Sequence, residues 1–284
     1  MILWLDQTAC QETALTGGKA ANLSRLAADY RVPPGFCLTT TAHAKWSLQQ
    51  ENGAIPQNAR ELITNAYNAL AERCEIAEPK VAVRSSAIGE DGQDASFAGQ
   101  YDTYLNLVGA EAVIDGIMRC WASASSDRLL TYRRQHGQPT DDFQLAVLVQ
   151  HLVPADISAV SFSAHPVTNN CEEIVIDSSW GLGESIVSGT VTPDTYTVHK
   201  SDFTIRERKI GDKERMTVMT PTGTEEVPIP RPMRKQQVMS DAQIIELAQL
   251  AQTLEKQMGW PVDIECAFYE EKLYLLQCRP ISTI

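Results

Sequence analysis

Two carboxylates, an amide and a guanidinium alternate with apolar residues near the end of the chain, in PVDIECAFYEEKLYLLQCRPI, residues 261–281. Strand side chains alternate between faces. On the first run Asp263 and Glu265 therefore point one way, and Val262, Ile264, Cys266 and Phe268 the other. On the second, Gln277 and Arg279 share a face opposite Tyr274, Leu276 and Cys278. The turn Tyr269-Glu270-Glu271-Lys272 makes the two runs a hairpin. A register that sets Glu265 opposite Gln277 also sets Asp263 opposite Arg279. Burying unpaired charge costs several kcal/mol. A Mg²⁺ ion and a polyphosphate would account for such a face, because the metal takes hard oxygen ligands and Arg takes phosphate oxygens. An ordinary solvent-facing strand of an antiparallel sheet is the competing reading.

Two other segments carry groups suited to phosphate. Gly17-Gly18-Lys19 stands at a helix start, where free N–H groups and the dipole favour an anion and Lys19 adds a mobile charge. The GxxxxGK[ST] spacing of a P-loop is absent, and glycine capping beside a solvated lysine is the alternative. Arg84 ends a strand and opens into SSAIGEDGQDASFAGQ, residues 85–100. An Arg there can clamp phosphates bidentately, and a glycine-containing loop can fold over them. Ser96-Phe97-Ala98-Gly99 gives that loop an apolar anchor; the alternative is a surface loop with Arg84 paired to Glu90 or Asp91. In LAVLVQHLVP the main chain at His151–Val153 could meet an adenine edge, or the run could be a plain buried strand. His151 reads as structural or exposed rather than catalytic, and His165 has the same reading beside a possible place at the site's border.

The elements that must position these groups follow from periodicity. A strand at Ile2–Leu5 precedes a helix with Ala20, Leu23 and Leu26 in step, so Gly17-Gly18-Lys19 is its loop and first turn. Helices are predicted over Thr41–Gln50, Asn58–Glu72, around Val113–Trp121 and over Ser126–His136, with strands at Lys80–Arg84 and Tyr101–Leu107. HGQPTDD, ending at Asp142, reads as an interlobe linker. The second half carries strands at Leu145–Gln150, Ala159–Ala164, Glu172–Asp177 and Thr195–His199, with a Gly-rich segment, Ser178–Asp194, before the last. A polar stretch to about Val238 reads as a hairpin with a long connection. Ser240-Asp241-Ala242-Gln243 forms a capping box for a helix whose Ile244, Leu247, Ala248, Ala251, Leu254 and Met258 line one face. Mixed helices and strands with antiparallel connections indicate an α+β protein of two lobes, residues 1–142 and 143–284.

At 284 residues, 43% hydrophobic and 21% charged, the chain suits two lobes around a cleft. Its 24 basic and 36 acidic residues give a net charge of −12, which argues against a nucleic-acid surface but not against one basic phosphate pocket. Seven scattered cysteines without CxxC or Cys/His spacing point to reduced thiols in the cytoplasm. No apolar run approaches the ~20 residues of a membrane span, and the start lacks a basic n-region.

Several motifs in one order carry a family resemblance: GGKAANLSRL, VPPGFCLTTTAH, VAVRSSAIGEDGQDASFAGQYDTYLNL, VLVQHLVPADISAVSFSAHPVT, WGLGESIVSGTVTPDTY and DIECAFYEEKLYLLQCRPI. They resemble the ATP-binding domain of phosphoenolpyruvate synthase, pyruvate phosphate dikinase and rifampicin phosphotransferase, from about Leu15 to Ile281. The resemblance implies an ATP-grasp-like fold holding ATP and Mg²⁺ between two lobes. It implies that Lys19 and Arg84 contact the phosphates and that the loop with Ser96, Gly99 and Gln100 closes over them. The connector Gln150, His151, Leu152 and Val153 would border the adenine, and Glu184 the ribose. Glu265 and Gln277 match the metal ligands, Asp263 lies in the same D-x-E motif, and Arg279 matches a phosphate-contacting arginine. Ala159 departs from the family's frequent glycine.

Full-length family members add a swivelling domain with a phosphate-accepting histidine and an acceptor domain; none of the five histidines here lies in a matching motif. The expectation is a phosphotransferase module passing a phosphoryl group to a histidine on a separate or missing domain, with ATP going to AMP and phosphate. Catalysis would rest on positioning and charge neutralisation by Lys19, Arg84, Arg279 and Mg²⁺. A stand-alone small-molecule kinase and a non-catalytic nucleotide-binding module are the alternatives.

Overall fold

The structure is a computed structural model that describes residues 1–47, 49, 54–88, 91–92, 95–96, 102–124 and 144–281. It divides into two compact units, Met1–Leu152 and Val153–Ile284. The helix expected over Ser126–His136 and the linker ending at Asp142 lie outside the described residues.

In the first unit, strands β1 (Ile2–Trp4), β2 (Gly35–Leu38), β3 (Val81–Ala87), β6 (Thr103–Leu107) and β7 (Leu145–His151) form an antiparallel sheet in the order β1-β2-β7-β3-β6. Strand β7 was expected in the second lobe. It instead pairs with β2 and β3 in the middle of this sheet, buried from Leu145 to Gln150, so the first unit runs on to Leu152 rather than ending near Asp142. A two-residue pair, β4 (Asp91–Gly92) and β5 (Ala95–Ser96), lies between β3 and β6 in sequence.

One face of the sheet is apolar. Phe36, Leu38, Val81, Val83, Val147 and Val149 pack against helices α2 (Thr40–Ser47), α3 (Gln57–Cys74) and α4 (Ala110–Ser123). The other face carries Arg84, Ser86 and Gln150 and meets helix α1 (Thr13–Leu26). Sequence periodicity placed the helix start at Gly17; one helical turn precedes it, and the helix breaks there, with φ 72° and ψ 176°. A Cβ on Gly17 would stand 2.0 Å from the Ser86 carbonyl oxygen, so both the conformation and the space require glycine. The break restarts the helix at Gly18-Lys19 against the end of β3.

The second unit is a six-stranded antiparallel sheet, ordered β11 (Ile205–Lys209), β10 (Asp194–His199), β9 (Glu173–Trp180), β8 (Ile157–Phe162), β14 (Val262–Tyr269) and β15 (Lys272–Pro280). Ile264, Ile176, Tyr196 and Val198 on one face are fully buried. They lie on the side of the sheet covered by α7 (Asp241–Met258), whose Ile244, Leu247, Ala248, Ala251 and Leu254 are fully buried too. The capping box at Ser240 and Gln243 is present. Between β11 and α7 the chain forms the hairpin β12 (Arg215–Thr220) and β13 (Gly223–Pro228) and a short helix α6 (Arg231–Arg234); a four-residue helix α5 (Glu184–Val187) follows β9.

Candidate functional site

The β14–β15 register sets Asp263 opposite Arg279 and Glu265 opposite Gln277. The turn alone would not do so. Tyr269 pairs with Lys272 around Glu270 and Glu271, both at positive φ as a two-residue hairpin loop demands. Continued without interruption, that register would set Glu265 against Leu276. An irregularity between Glu265 and Cys266 absorbs Leu276 and restores the polar pairing. Tyr274, on the turn side of the irregularity, lies opposite Ala267 on the face of Glu265, whereas simple alternation grouped it with Leu276 and Cys278.

Asp263 is 6% exposed. The Arg279 Nε and Nη2 both donate to its Oδ2, at 2.8 and 2.7 Å. Its Oδ1 is buried and accepts no hydrogen bond from the described residues. Burial pushes the Asp263 carboxyl up; Arg279 opposes this and Glu265 adds to it. Opposed residues of an antiparallel pair stand about 5 Å apart, so the Glu265 carboxylate and the Gln277 amide carbonyl can meet on one cation. Both are hard oxygen donors. Among the described residues no group of three or more His, Cys, Asp or Glu side chains is placed to hold a metal. A Mg²⁺ held by one carboxylate, one amide oxygen and substrate phosphates fits this sparse donor set.

The same face extends across β8 and β9. Glu265 lies opposite Val160, which lies opposite Asp177. The Thr195 hydroxyl donates to Asp177 Oδ1 at 2.6 Å, and burial raises the Asp177 carboxyl. Sequence reading missed Asp177, because its place on this face depends on the pairing of three strands distant in sequence.

Glu184 opens α5 and is exposed; the Thr224 hydroxyl donates to its Oε2 at 3.0 Å. The preceding loop is tied to the polar face, since the Ser158 hydroxyl donates to the Gly181 carbonyl at 2.7 Å.

In the first unit, Lys19 and Arg84 are 7% and 9% exposed. The Lys19 ammonium donates to the Ser85 carbonyl at 3.1 Å, and the Ala20 amide donates to the Ser86 hydroxyl at 3.2 Å. Arg84 lies opposite Leu148, one alternation from Gln150, so Arg84 and Gln150 share the α1 face. The Gln150 side-chain amide donates to the Pro33 carbonyl at 3.2 Å. The connector is less open than its sequence suggested. The His151 amide donates to Pro34 and the Leu152 amide to Lys80, at 2.9 and 2.8 Å, while the Val153 carbonyl accepts from Ala155. His151 lies opposite Val81, on the other face, and burial lowers its imidazole. The His165 ring nitrogen Nδ1 accepts from the Val167 and Thr168 amides and shapes a turn. Ser96 ends β5, and Gly99 and Gln100 lie outside the described residues.

The chain matches the family described as pyruvate phosphate dikinase, AMP/ATP-binding domain, over residues 49–284. It is similar to a probable phosphoenolpyruvate synthase of Methanocaldococcus jannaschii, with 38% identity covering 100% of this chain and 27% of that protein. It is also similar to the rifampicin phosphotransferase of Streptomyces sviceus, with 35% identity covering 100% of this chain and 36% of that protein. The chain thus spans well under half the length of these relatives. Among solved structures, D-alanyl-alanine synthetase A from Vibrio cholerae aligns over 93% of this chain and 58% of its own, with a TM-score of 0.37 and 12% identity.

Proposed function

Because the chain belongs to the pyruvate phosphate dikinase AMP/ATP-binding domain family, we propose that it binds ATP with Mg²⁺ and is the nucleotide-handling part of a phosphotransferase. One observation carries this reading: a sheet face that buries Asp263 and Gln277 beside Glu265 and Arg279, in a register kept only by a bulge. A solvent-facing strand would not bury such groups.

In this reading Glu265 and Gln277 hold the cation, and Arg279, itself steadied by Asp263, faces phosphate oxygens. Within the first unit, Lys19 and Arg84 supply positive charge suited to phosphate oxygens. Gln150 to Val153 border the base, and Glu184 the sugar. When bound, Mg²⁺ offsets phosphate charge and fixes the orientation of the phosphate chain. The protein's part is pre-organisation: Lys19 is already held by the Ser85 carbonyl and Arg84 stands on the fully buried strand β3, so little reorganisation is needed during transfer. In this reading the acceptor is the imidazole of a phosphate-accepting histidine, the chemistry that the family resemblance implies. ATP and water then yield AMP, inorganic phosphate and phosphohistidine. All seven cysteines are free thiols, which supports a cytoplasmic location in this reading. Among the described residues no helix is long and apolar enough to cross a membrane.

The test is calorimetry of MgATP binding, followed by nucleotide chromatography with a histidine-domain partner. AMP with phosphate supports the reading. ADP alone indicates a direct small-molecule kinase, and binding without turnover a non-catalytic module. Absence of Mg²⁺-dependent nucleotide binding overturns it.

A further inference from the structure

Resting on the nucleotide reading, we propose that the β12–β13 hairpin positions Glu184 for the sugar of the bound nucleotide, with Thr224 as the positioning residue. The polar face of the second unit has a direction. Along β14 it runs Asp263, Glu265, Ala267, and along β8 it runs Phe162, Val160, Ser158. Beyond β9 the chain turns at Gly181 and folds back over Ser158. Ser158 holds the Gly181 carbonyl at 2.7 Å, and a Cβ at Gly183 would stand 3.4 Å from the Ser158 Cβ. Glu184 therefore follows at the Ser158 end of the face, two strand residues or roughly 7 Å beyond the level of Glu265. A nucleotide with its phosphates at Asp263–Glu265 would place its sugar near that end.

Glu184 begins a helix of only four residues and is exposed, so nothing in α5 itself fixes its rotamer. The hairpin does. Thr217 lies opposite Glu226 and Met219 opposite Thr224, so Thr217, Thr224 and Glu226 share one face. All three reach the 181–190 segment. The Leu182 amide donates to the Thr217 carbonyl at 2.9 Å, the Thr190 hydroxyl to Glu226 Oε1 at 2.7 Å, and the Thr224 hydroxyl to Glu184 Oε2 at 3.0 Å. Gly181 permits this docking: its φ is +76°, and a Cβ there would meet the Thr217 carbonyl oxygen at 2.4 Å. With Oε2 held by Thr224, Oε1 is left to accept a hydrogen bond from a sugar hydroxyl.

The test compares Kd values for ATP, 2′-deoxyATP and 3′-deoxyATP, each with Mg²⁺, by calorimetry on the full chain. Wild type should prefer ATP over the analogue lacking the hydroxyl that Glu184 meets. Thr224→Val should weaken ATP about two- to tenfold, the effect of one lost hydrogen bond, and shrink that preference; Thr224→Ser should restore both. If Thr224→Val matches wild type while Glu184→Gln loses the preference, the positioning role is overturned and the sugar contact stands. If Thr224→Val weakens all three nucleotides equally, the hairpin acts generally and the proposal also fails. If Glu184→Gln keeps the preference, the sugar contact itself is wrong. If wild type binds no MgATP, the nucleotide reading falls with it.

Discussion

Lys213→Met should be among the most destabilising single substitutions in the second unit. Lys213 and Asp194 form an ion pair whose side chains are fully buried. Asp194 also accepts the Gly211 amide at 2.9 Å, the Val238 amide at 2.8 Å and the Tyr196 hydroxyl at 3.2 Å, and Lys213 donates to the Gly211 carbonyl at 3.1 Å. One side chain thus ties the start of β10 to the connecting segments that precede and follow the hairpin. Burial with Asp194 alongside pushes the Tyr196 phenol up to about 12. Removing one member of a buried pair costs about 3–5 kcal/mol, because the other charge is left in a low dielectric. Two backbone amides still solvate Asp194, so the lower end applies. With a urea slope of about 1.5 kcal/mol/M, a loss of about 3 kcal/mol moves the midpoint down by ~2 M. The assay is urea unfolding followed by circular dichroism, in a cycle with Asp194→Asn and the double variant. Coupling requires the double variant to be more stable than the two single losses would sum to. A midpoint within 0.3 M of wild type, by an order-of-magnitude criterion from the same slope, would refute the account of the network.

Arg279→Ala should abolish MgATP binding and also destabilise the fold by about 2–4 kcal/mol, because Asp263 loses its partner. Asp263→Asn/Arg279→Ala should recover much of the stability and none of the binding; calorimetry and urea unfolding separate the two effects. MgATP at a hundredfold excess over Kd should stabilise wild type by about 2.7 kcal/mol, and EDTA or Glu265→Ala should remove that gain in a thermal melt. The His43 Nδ1 accepts the Leu145 amide at 3.1 Å, and burial lowers its imidazole from the ordinary 6.5. Its contribution is complete above pH 6.5 and is lost as pH falls through that value toward the lower folded one, by at most about 1.4 kcal/mol per pH unit. His43→Gln should flatten the stability–pH profile over that window; an unchanged profile would show that the ring is not held neutral.

The hairpin partners could be read from sequence because strand alternation is local: the residues fix which side chains share a face. What alternation could not supply was the bulge at Leu276, which reconciles a two-residue turn with the Glu265–Gln277 pairing and so puts Gln277 on the same face as Tyr274. The glycine before Lys19 was legible as a helix boundary. Its cause, the Ser86 carbonyl lying where a Cβ would be, involves a strand nearly seventy residues away. Likewise β7 has the apolar run of any buried strand, and only its pairing with β2 and β3 assigns it to the first unit. Asp177, Thr224 and the Asp194–Lys213 pair left no local pattern. Periodicity and turn chemistry act over a few residues, so the sequence by itself determined the elements and the chemistry available on each face. Long-range strand pairing and buried-charge compensation decided which of those faces and groups came together.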